Sequence, residues 1–564
     1  MHPRRALATV IVICTLALAA ACACSGRPVG ATADAGAGDT PSAPPADGAA
    51  RADGAADASA PEAALRFVTS AERSLRVVGF SRDGSTLAYL VGDAKSGLYG
   101  ALYLYDVDGD STRLVDERAL WVQHGPQLSA DGRSVLYRRA PDAPADFDWT
   151  FRSALYVYRA DAGAAQHLDD AVLRASFQLS PDGQRAVYVR GADRELLLWR
   201  PGRPRDLVAS RVYAQPYASA RTNHPLDSSG RYLAYLDRDD AVHLVDLTSG
   251  LDRTVGTRAV RGSLVLDDSA AGLRYVEALD SERRRAVIVD VASGLARARS
   301  APSYGGVVLL DATARYALTF GDTQPTRYAG TLRVEDMSRP GAAPRVIAAD
   351  VRLNGVRFSD DGKLVFYLRG YDGKQGSLGV YRLSDGAGPL VGDAVQSVAS
   401  VVNDAQARFV AYARATALGS PALRIYALDA ATAPIDVPGG AVCGVMGFVG
   451  DDRLIYSATP AGSQNGCALL RFDAASAARS TVTTQLLAGS GGAVAEGARW
   501  LYLGDADWLR SKMTLYAHDF ARGTRRRLYR SDSGRVEIGP RSQRHVAFVV
   551  RRGSTRRLAI ARLP

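Results

Sequence analysis

The stretch Leu179-Ser180-Pro181-Asp182-Gly183-Gln184-Arg185-Ala186-Val187-Tyr188-Val189 carries the signals of a β-hairpin. Pro181 fixes its φ angle in the range that a type I turn needs. Gly183 can take the left-handed conformation that follows such a turn, because it lacks a Cβ atom. The apolar residues 186–189 then form the return strand. The stretch therefore predicts a strand, a tight turn and an antiparallel partner strand.

Copies of this pattern recur from near residue 80 to the C-terminus. The clearest are Phe80-Ser81-Arg82-Asp83-Gly84, Leu128-Ser129-Ala130-Asp131-Gly132, Leu226-Asp227-Ser228-Ser229-Gly230 and Phe358-Ser359-Asp360-Asp361-Gly362. Weaker copies begin near Leu266, Leu310, Val402, Phe448, Ala493 and Ile538, so eleven units start 40 to 51 residues apart. Such a period, with several short strands per unit, predicts an all-β fold, a β-propeller of four-stranded blades.

Each unit continues past its hairpin to a third, usually alternating strand. Leu102-Tyr103-Leu104-Tyr105-Asp106-Val107 is one example, and a turn rich in Gly, Asp or Ser commonly follows. Alternation with a period of two residues is the signal of a strand, and no repeat shows a sustained helical period. We therefore expect almost no helix in the repeat region.

Eleven units exceed the four to eight blades of a usual propeller. The sequence favours two tandem propellers of five and six blades, residues 65–302 and 303–564, because the shortest spacing and a Ser/Gly-rich stretch, residues 300–306, lie near this boundary. One large or interleaved ring is the alternative. The last unit ends at 558–563 without a fourth strand, and Leu65-Arg66-Phe67-Val68-Thr69 precedes the first unit as a spare strand that could complete it.

The N-terminal segment predicts export. Arg4 and Arg5 precede an apolar run that is short for a membrane span, so residues 1–21 are interpreted as a signal peptide. Ala19-Ala20-Ala21-Cys22 resembles a bacterial lipobox, with Ala19 where Leu is usual, which predicts lipidation of Cys22. A plain cleaved signal is the alternative. Residues 22–64 are rich in Ala, Gly, Pro and Asp and predict a disordered tether.

The repeat unit resembles that of TolB-type periplasmic propellers, which also occurs in the propeller domains of prolyl-oligopeptidase-type enzymes. The Ser-Pro-Asp-Gly hairpin followed by two strands carries the resemblance, over roughly residues 65–564. It implies the fold and says little about activity, because the motif builds the blade. The sequence has no Gly-x-Ser-x-Gly nucleophile motif and no hydrolase domain, which argues against a peptidase.

Composition supports large buried cores, and charge points to one end of the chain. The 564 residues are 47% hydrophobic with a formal charge of +10, and residues 520–564 alone hold thirteen Arg against two acids. We expect a basic face for an anionic partner, with a solvated surface as the alternative. Its members are Arg525, Arg526, Arg527, Arg551, Arg552, Arg556 and Arg557. Nucleic acid is disfavoured because the chain carries an export signal.

Cysteine and histidine supply the remaining candidate sites. Cys443 and Cys467 are the only cysteines beyond the signal region, so in an oxidising compartment they predict a disulfide, with two buried thiols as the alternative. His124 and His224 precede hairpin motifs, where they could face a central channel and bind a metal or act as bases. The plainer interpretation is that they are polar loop residues. No cofactor or metal is predicted.

These patterns lead to one functional expectation and two alternatives. The sequence predicts a monomeric envelope lipoprotein, anchored in the periplasm or outer membrane by its lipid, that serves as a non-catalytic binding platform for a protein or an anionic polymer. The first alternative is a propeller enzyme, similar to a polysaccharide lyase, with its site in the channel. The second is a structural spacer without a binding patch.

Overall fold

The structure is a computed structural model, and all residues that it describes belong to one compact unit, Ala52–Pro564. These residues are 65–71, 74–92, 99–121, 125–140, 152–191, 193–213, 225–266, 272–306, 308–324, 328–386, 388–416, 421–430, 433–437, 442–449, 452–459, 467–486, 493–496, 499–507, 512–520, 522–532, 535–542 and 544–563. Over these ranges no α-helix occurs, and two short 3-10 turns span Tyr304–Gly306 and Val398–Ser400. The same ranges contain no helix that could cross a membrane.

Within the described ranges, forty-one antiparallel strands build eleven blades, which confirms the predicted β-propeller. Blade 1 contains β2 (Leu75–Phe80), β3 (Thr86–Gly92), β4 (Tyr99–Asp106) and β5 (Ser111–Leu120). Blade 2 contains β6 (Gln127–Leu128), β7 (Ser134–Arg139), β8 (Arg152–Arg159) and the first part of β9 (Ala164–Leu179). Blade 3 contains the rest of β9, β10 (Ala186–Arg190), β11 (Glu195–Trp199) and β12 (Asp206–Ala209).

The middle blades follow the same order. Blade 4 contains a bridge from Leu226 to Leu233, then β13 (Tyr232–Leu236), β14 (Val242–Asp246) and β15 (Leu251–Gly256). Blade 5 contains β16 (Val265–Leu266), β17 (Leu273–Ala278), β18 (Arg284–Val289) and β19 (Ala296–Arg299). Blade 6 contains β20 (Leu309–Leu310), β21 (Tyr316–Gln324), β22 (Ala329–Asp336) and the first part of β23 (Arg345–Phe358). Blade 7 contains the rest of β23, β24 (Leu364–Arg369), β25 (Gly376–Arg382) and β26 (Leu390–Val395).

The last four blades follow the same order, and a strand from the other end of the chain completes the eleventh blade. Blade 8 contains β27 (Val402–Asn403), β28 (Phe409–Arg414), β29 (Ala422–Ala427) and β30 (Ile435–Asp436). Blade 9 contains β31 (Val442–Val449), β32 (Arg453–Ala458), β33 (Cys467–Asp473) and β34 (Arg479–Leu486). Blade 10 contains β35 (Ala493–Glu496), β36 (Arg499–Asp507), β37 (Lys512–Asp519) and β38 (Thr524–Ser531). Blade 11 contains β39 (Arg535–Arg541), β40 (His545–Arg552), β41 (Thr555–Arg562) and β1 (Leu65–Ala71).

The Ser-x-Asp-Gly turns are held by their own side chains. Ser180 Oγ donates to Asp182 Oδ1 at 2.5 Å and accepts the Arg185 backbone N–H at 2.9 Å. Gly183 has the predicted left-handed φ of 66°. Asp227, Asp311 and Asp404 replace this Ser in other blades and accept the equivalent N–H, so buried carboxylates perform the same task there. The hairpin motif therefore encodes a hydrogen-bonded turn in each of these blades.

Neighbouring turns also bond to each other around the ring. The Arg82 N–H donates to the Ala130 carbonyl at 2.8 Å, and the Ala130 N–H donates to the Pro181 carbonyl at 2.7 Å. Every blade is a simple up-and-down meander, so its first and third turns lie on one side of the ring and its second turn lies on the other. We call the side that carries turns such as Ser81–Gly84 the hairpin face.

The blades pack on each other in chain order and close into one cycle. Each neighbouring pair shares a cluster of buried apolar side chains, because the second and third strands of a blade are buried on both of their faces. The last blade packs on the first in the same way, through Val549 and Ile560 against Tyr89 and Tyr105. β1 pairs with β41, with Leu65 opposite Ala561.

These contacts follow the single-ring alternative, not the tandem division at residues 302 and 303. Across the predicted boundary, Ile288 of blade 5 packs with Ala317 and Met337 of blade 6. The Ser/Gly-rich stretch 300–306 connects these blades, since the Phe320 N–H donates to Ser303 Oγ at 2.8 Å and the Ala301 N–H donates to Glu335 at 2.7 Å. The stretch that the sequence placed at the boundary therefore hydrogen-bonds blade 5 to blade 6.

Candidate functional site

The seven predicted arginines lie in two groups on opposite sides of the ring, so the expected single basic face is not assembled as predicted. Arg525, Arg526 and Arg527 follow the turn between β37 and β38, on the hairpin face. Arg551, Arg552, Arg556 and Arg557 flank the turn at Gly553 between β40 and β41, on the opposite face. Charge density along the chain could not reveal this separation, because it depends on which end of a blade each turn occupies.

Several of these arginines are engaged in contacts of the fold. The Arg525 guanidinium lies 4.5 Å from the ring centre of Tyr516 and donates to the Val482 carbonyl of blade 9 at 3.1 Å. Arg526 is partly buried, and the Arg557 guanidinium lies 5.7 Å from the ring centre of Phe67. Both groups therefore contribute packing as well as charge.

A pocket of about 260 Å³ on the hairpin face joins the last blade to the first. We call it the seam pocket. Blade 1 supplies Tyr105, Val107 and Asp108, and blade 11 supplies Arg66, Arg544, His545, Ile560 and Arg562. The side chains of Tyr105, Val107 and Ile560 are buried, whereas the three arginines and Asp108 are exposed. The pocket thus combines an apolar floor with a cationic rim.

Strand register brings the pocket residues together from distant parts of the chain. Arg66 lies opposite Ile560 in the pairing of β1 with β41, and His545 lies opposite Arg562 in the pairing of β40 with β41. The Arg66 guanidinium donates to the Val107 carbonyl at 2.7 Å and so connects the closing strand to blade 1. No local pattern in the sequence predicts this site, although the spare strand at 65–69 indicated that the two ends could meet.

The pocket's titratable groups have defined protonation states at neutral pH. Burial and the hydrogen bond that the Tyr105 hydroxyl donates to Asp110 at 2.5 Å raise the pKa of Tyr105 to about 12. Burial, with help from Arg562 and Arg544, lowers the pKa of His545, while Asp108 acts in the opposite direction. Tyr105 therefore stays protonated and His545 stays neutral, so the positive charge of the pocket belongs to its arginines.

Neither Arg544 nor Arg562 forms an ion pair with a carboxylate among the residues that the structure describes. Elsewhere arginines are paired, as Arg231 is with Asp246 at 2.8 Å and Arg382 is with Asp429 at 2.6 Å. An unpaired guanidinium group at the edge of a pocket can donate two parallel hydrogen bonds to a carboxylate or phosphate. These two exposed guanidinium groups at the pocket rim are therefore accessible to an anion.

Blade 4 holds a second polar constellation, which sequence reasoning missed. His243 Nδ1 lies 3.2 Å from Asp252, His243 Nε2 lies 3.5 Å from Asp237, and the ring stacks on Tyr235 at 4.6 Å. The hydrogen bond to Asp252 raises the pKa of His243 most, against the effect of burial. An imidazole held between two carboxylates favours the charged form, which suits a structural clamp better than a general base.

The remaining residues that the sequence singled out are the two cysteines of the predicted disulfide, the two histidines of the predicted channel and the lipidation cysteine. Cys443 and Cys467 form a disulfide that joins the first strand of blade 9, β31, to its third strand, β33, with Cα atoms 6.5 Å apart. His124, His224 and Cys22 lie outside the described residues. Within the described ranges, no three His, Cys, Asp or Glu side chains form a group that could hold a metal ion.

Comparisons with known proteins give weak structural likenesses. No family model and no curated protein matches the chain. Matching structures include a eukaryotic initiation factor, at 11% identity, TM-score 0.37 and coverage of 64% of this chain and 87% of that chain. An oligogalacturonate lyase in complex with manganese matches at 13% identity and a TM-score of 0.27, with coverage of 57% of this chain and 93% of that chain. TolB from Acinetobacter baumannii matches at 12% identity and a TM-score of 0.22, with coverage of 53% of this chain and 78% of that chain. The lyase and TolB are β-propeller proteins, and likenesses this weak carry no inference about activity or partners.

Proposed function

We propose that this chain is an exported, lipid-anchored β-propeller that acts as a non-catalytic platform for an anionic partner, either an acidic protein or an anionic envelope polymer. The observation that carries the proposal is the pair of exposed guanidinium groups beside the seam pocket, Arg544 and Arg562, which have no carboxylate partner in the described part of the chain. Exposed arginines on a rigid surface attract an anionic partner over a range of about 10 Å at 0.1 M salt.

The ring offers a rigid frame for such a surface. Arg525 and Arg527 of blade 10 follow a turn on the same face as Arg544 and Arg562, so the hairpin face carries exposed arginines on both blade 10 and blade 11. This arrangement replaces the basic face expected from the sequence. Arginines on the opposite face, at the turn of residues 552–555, would contact a different surface and are not required by the proposal.

A binding measurement with a defined polyanion tests the platform. The mature chain is titrated with polyglutamate at low and at physiological salt, and the same is done with the double variant R544S/R562S. We expect binding that weakens with salt, and a loss of roughly ten-fold or more in affinity for the variant, since each charged hydrogen bond contributes about 1.5–3 kcal/mol.

The matched control removes two arginines from other blades. R203S/R339S lowers the net charge equally, at exposed turns of the hairpin face in blades 3 and 6. We expect its affinity to stay within about two-fold of the wild type, because screening limits the reach of surface charges. Equal losses in both variants would show that only net charge matters and would overturn the platform, as would no binding at all.

The anchor requires its own test. We propose that Cys22 becomes the lipidated first residue of an exported protein, as its lipobox-like context suggests. Metabolic labelling with a fatty acid should mark the wild-type chain and not the variant Cys22→Ser, with Cys24→Ser as the matched control that keeps its label. Retention of label in Cys22→Ser would contradict the anchor.

A further inference from the structure

We infer that the seam pocket binds a single organic carboxylate, with the charged group on Arg544 and Arg562 and an attached apolar group on Val107 and Ile560. The carboxylate can belong to a free small molecule or to the last residue of a polypeptide. The inference rests on the proposed anion-binding role and names the chemical group that the site would take.

The shape and lining of the pocket favour an organic anion over a bare ion. About 260 Å³ corresponds to roughly nine water molecules at about 30 Å³ each, which is space for a ligand of about ten non-hydrogen atoms. Val107 and Ile560 line the pocket beside the arginines, so its wall offers apolar side chains as well as guanidinium groups. An apolar group attached to the anion would cover them.

The polar groups define where the charge of the ligand would sit. Arg66 uses one of its donors on the Val107 carbonyl, whereas Arg544 and Arg562 have no carboxylate partner among the described residues and can direct their donors at a ligand. The Tyr105 hydroxyl donates to Asp110 and cannot give the same proton to a ligand. Asp108 is the one acidic residue in the lining, which disfavours a ligand with a second negative charge.

Occupation of this pocket would stabilise ring closure. Its walls come from blade 1 and from blade 11, and blade 11 is complete only when β1 pairs with β41. A ligand that contacts both blades binds the closed ring and not the opened chain, so it raises the stability of the closed form by mass action. A rise in melting temperature is therefore expected along with binding.

Calorimetric titration and thermal unfolding of the mature chain test the inference with four probes. These are phenylpropionate, its neutral amide phenylpropionamide, inorganic phosphate, and an octapeptide ending in phenylalanine with a free carboxylate. We expect phenylpropionate to bind and to raise the melting temperature, and the amide and phosphate to bind at least ten-fold more weakly. Equal binding of the amide, or binding of phosphate as tight as that of the acid, would overturn the inference.

Variants connect any binding to the pocket. R544S/R562S should lower the affinity for phenylpropionate at least ten-fold, R544K/R562K should lower it less because the charge is kept, and R203S/R339S should leave it unchanged. Unchanged affinity in R544S/R562S would overturn the inference. The melting temperatures without ligand show that each variant folds. If the octapeptide binds more tightly than phenylpropionate, and its amidated form does not bind, the carboxylate that the pocket takes belongs to a polypeptide terminus. If phenylpropionate binds more tightly than the octapeptide, the carboxylate belongs to a small molecule.

The outcomes separate this inference from the broader platform. Binding of polyglutamate without binding of phenylpropionate or the octapeptide would leave the platform standing and would overturn the pocket inference. Binding of phenylpropionate without binding of polyglutamate would overturn the platform and support a small-molecule site.

Discussion

Gly84 in the first blade lies against Ser542 in the last blade, so closely that a Cβ atom on Gly84 would be 2.8 Å from the Ser542 Cβ. The same contact recurs between consecutive blades, where Gly132 lies against Thr86 and Gly183 lies against Ser134. The junction of the two chain ends therefore uses the same packing as the other junctions. The edge of β41 at this junction is covered by its pairing with β1.

Gly84→Ala should destabilise the closed ring. Gly84 has a φ of 77°, which disfavours any residue with a Cβ atom, and its new methyl group would collide with Ser542. We expect a loss of about 1–3 kcal/mol from the collision in addition to the backbone cost. Gly163→Ala is the matched control, since Gly163 has a φ of 66° and open space around it. Equal unfolding midpoints in denaturant for the two variants would contradict the closure contact.

The disulfide of blade 9 should stabilise the fold. Replacing Cys443 and Cys467 together by Ser removes a crosslink across 24 residues, with an expected cost of about 2–4 kcal/mol in the free energy of unfolding. Thermal unfolding with and without a reductant measures it. The wild type should lose stability when reduced, whereas the double variant should not respond. A wild type indifferent to reductant would show that the bond contributes nothing.

Gln127 should act as a staple between inner strands. Its side-chain amide donates to the Phe177 carbonyl at 3.0 Å and accepts the Leu179 N–H at 2.9 Å, so it bonds blade 2 to blade 3 in both directions. Gln127→Glu keeps the shape and removes the donor, which places a carboxylate against a carbonyl and should cost about 1–3 kcal/mol. Gln184→Glu, at an exposed turn, should cost far less. Chemical denaturation measures the free energy of unfolding of both variants, and equal losses in the two would contradict the role of Gln127.

His243 should stabilise the protein at low pH more than at high pH. Its pKa is raised in the folded state above the ordinary value of 6.5, so the folded protein holds the proton more tightly than the unfolded chain does. This stability is complete below about pH 6.5 and is lost as pH rises through the raised pKa. The melting temperature of the wild type should exceed that of His243→Asn by more at pH 6 than at pH 9. A difference in melting temperature between the two proteins that does not change with pH would argue against a charged His243 between its carboxylates.

His518 should show the opposite dependence. Burial, then repulsion by Arg525 and Arg471, lowers its pKa to about 4, and its ring stacks on Phe520 at 3.8 Å. The unfolded chain therefore takes up the proton first, and stability is lost as pH falls from about 6.5 to about 4. His518→Gln removes this titration and should flatten the fall in melting temperature between pH 7 and pH 5. An unchanged slope would contradict the buried neutral imidazole.

The blade is encoded locally, which is why the sequence predicted it. Ser180, Asp182 and Gly183 specify a turn within five residues, and the strands that follow are apolar enough to be buried. The number of rings depends on whether blade 5 packs on blade 6 or on blade 1, and repeats that resemble each other do not encode that choice. The pairing of Leu65 with Ala561, which joins the two ends of the repeat region in one blade, is a contact that the repeats themselves do not encode.

The candidate site was harder to predict for a related reason. Arg66 and Arg562 are neighbours through a strand pairing between the two ends of the repeat region, so no window of sequence contains the pocket. The basic segment at residues 520–564 lies in blades 10 and 11, which include one wall of the candidate pocket, but strand direction divides its arginines between two sides. Arg544 and Arg562, which line the pocket, have no arginine next to them in the sequence, so a search for clustered arginines does not find them.

The pairing of β1 with β41 also determines when this protein can finish folding. A polypeptide is made from its N-terminus, so β1 must wait without its partner until the final strand has been synthesised. Contacts between residues so far apart in sequence form slowly, because nearly the whole chain must first be drawn into a loop. Until that pairing forms, blade 1 and blade 11 each expose apolar side chains that the closed ring buries between them, among them Tyr89 and Ile560.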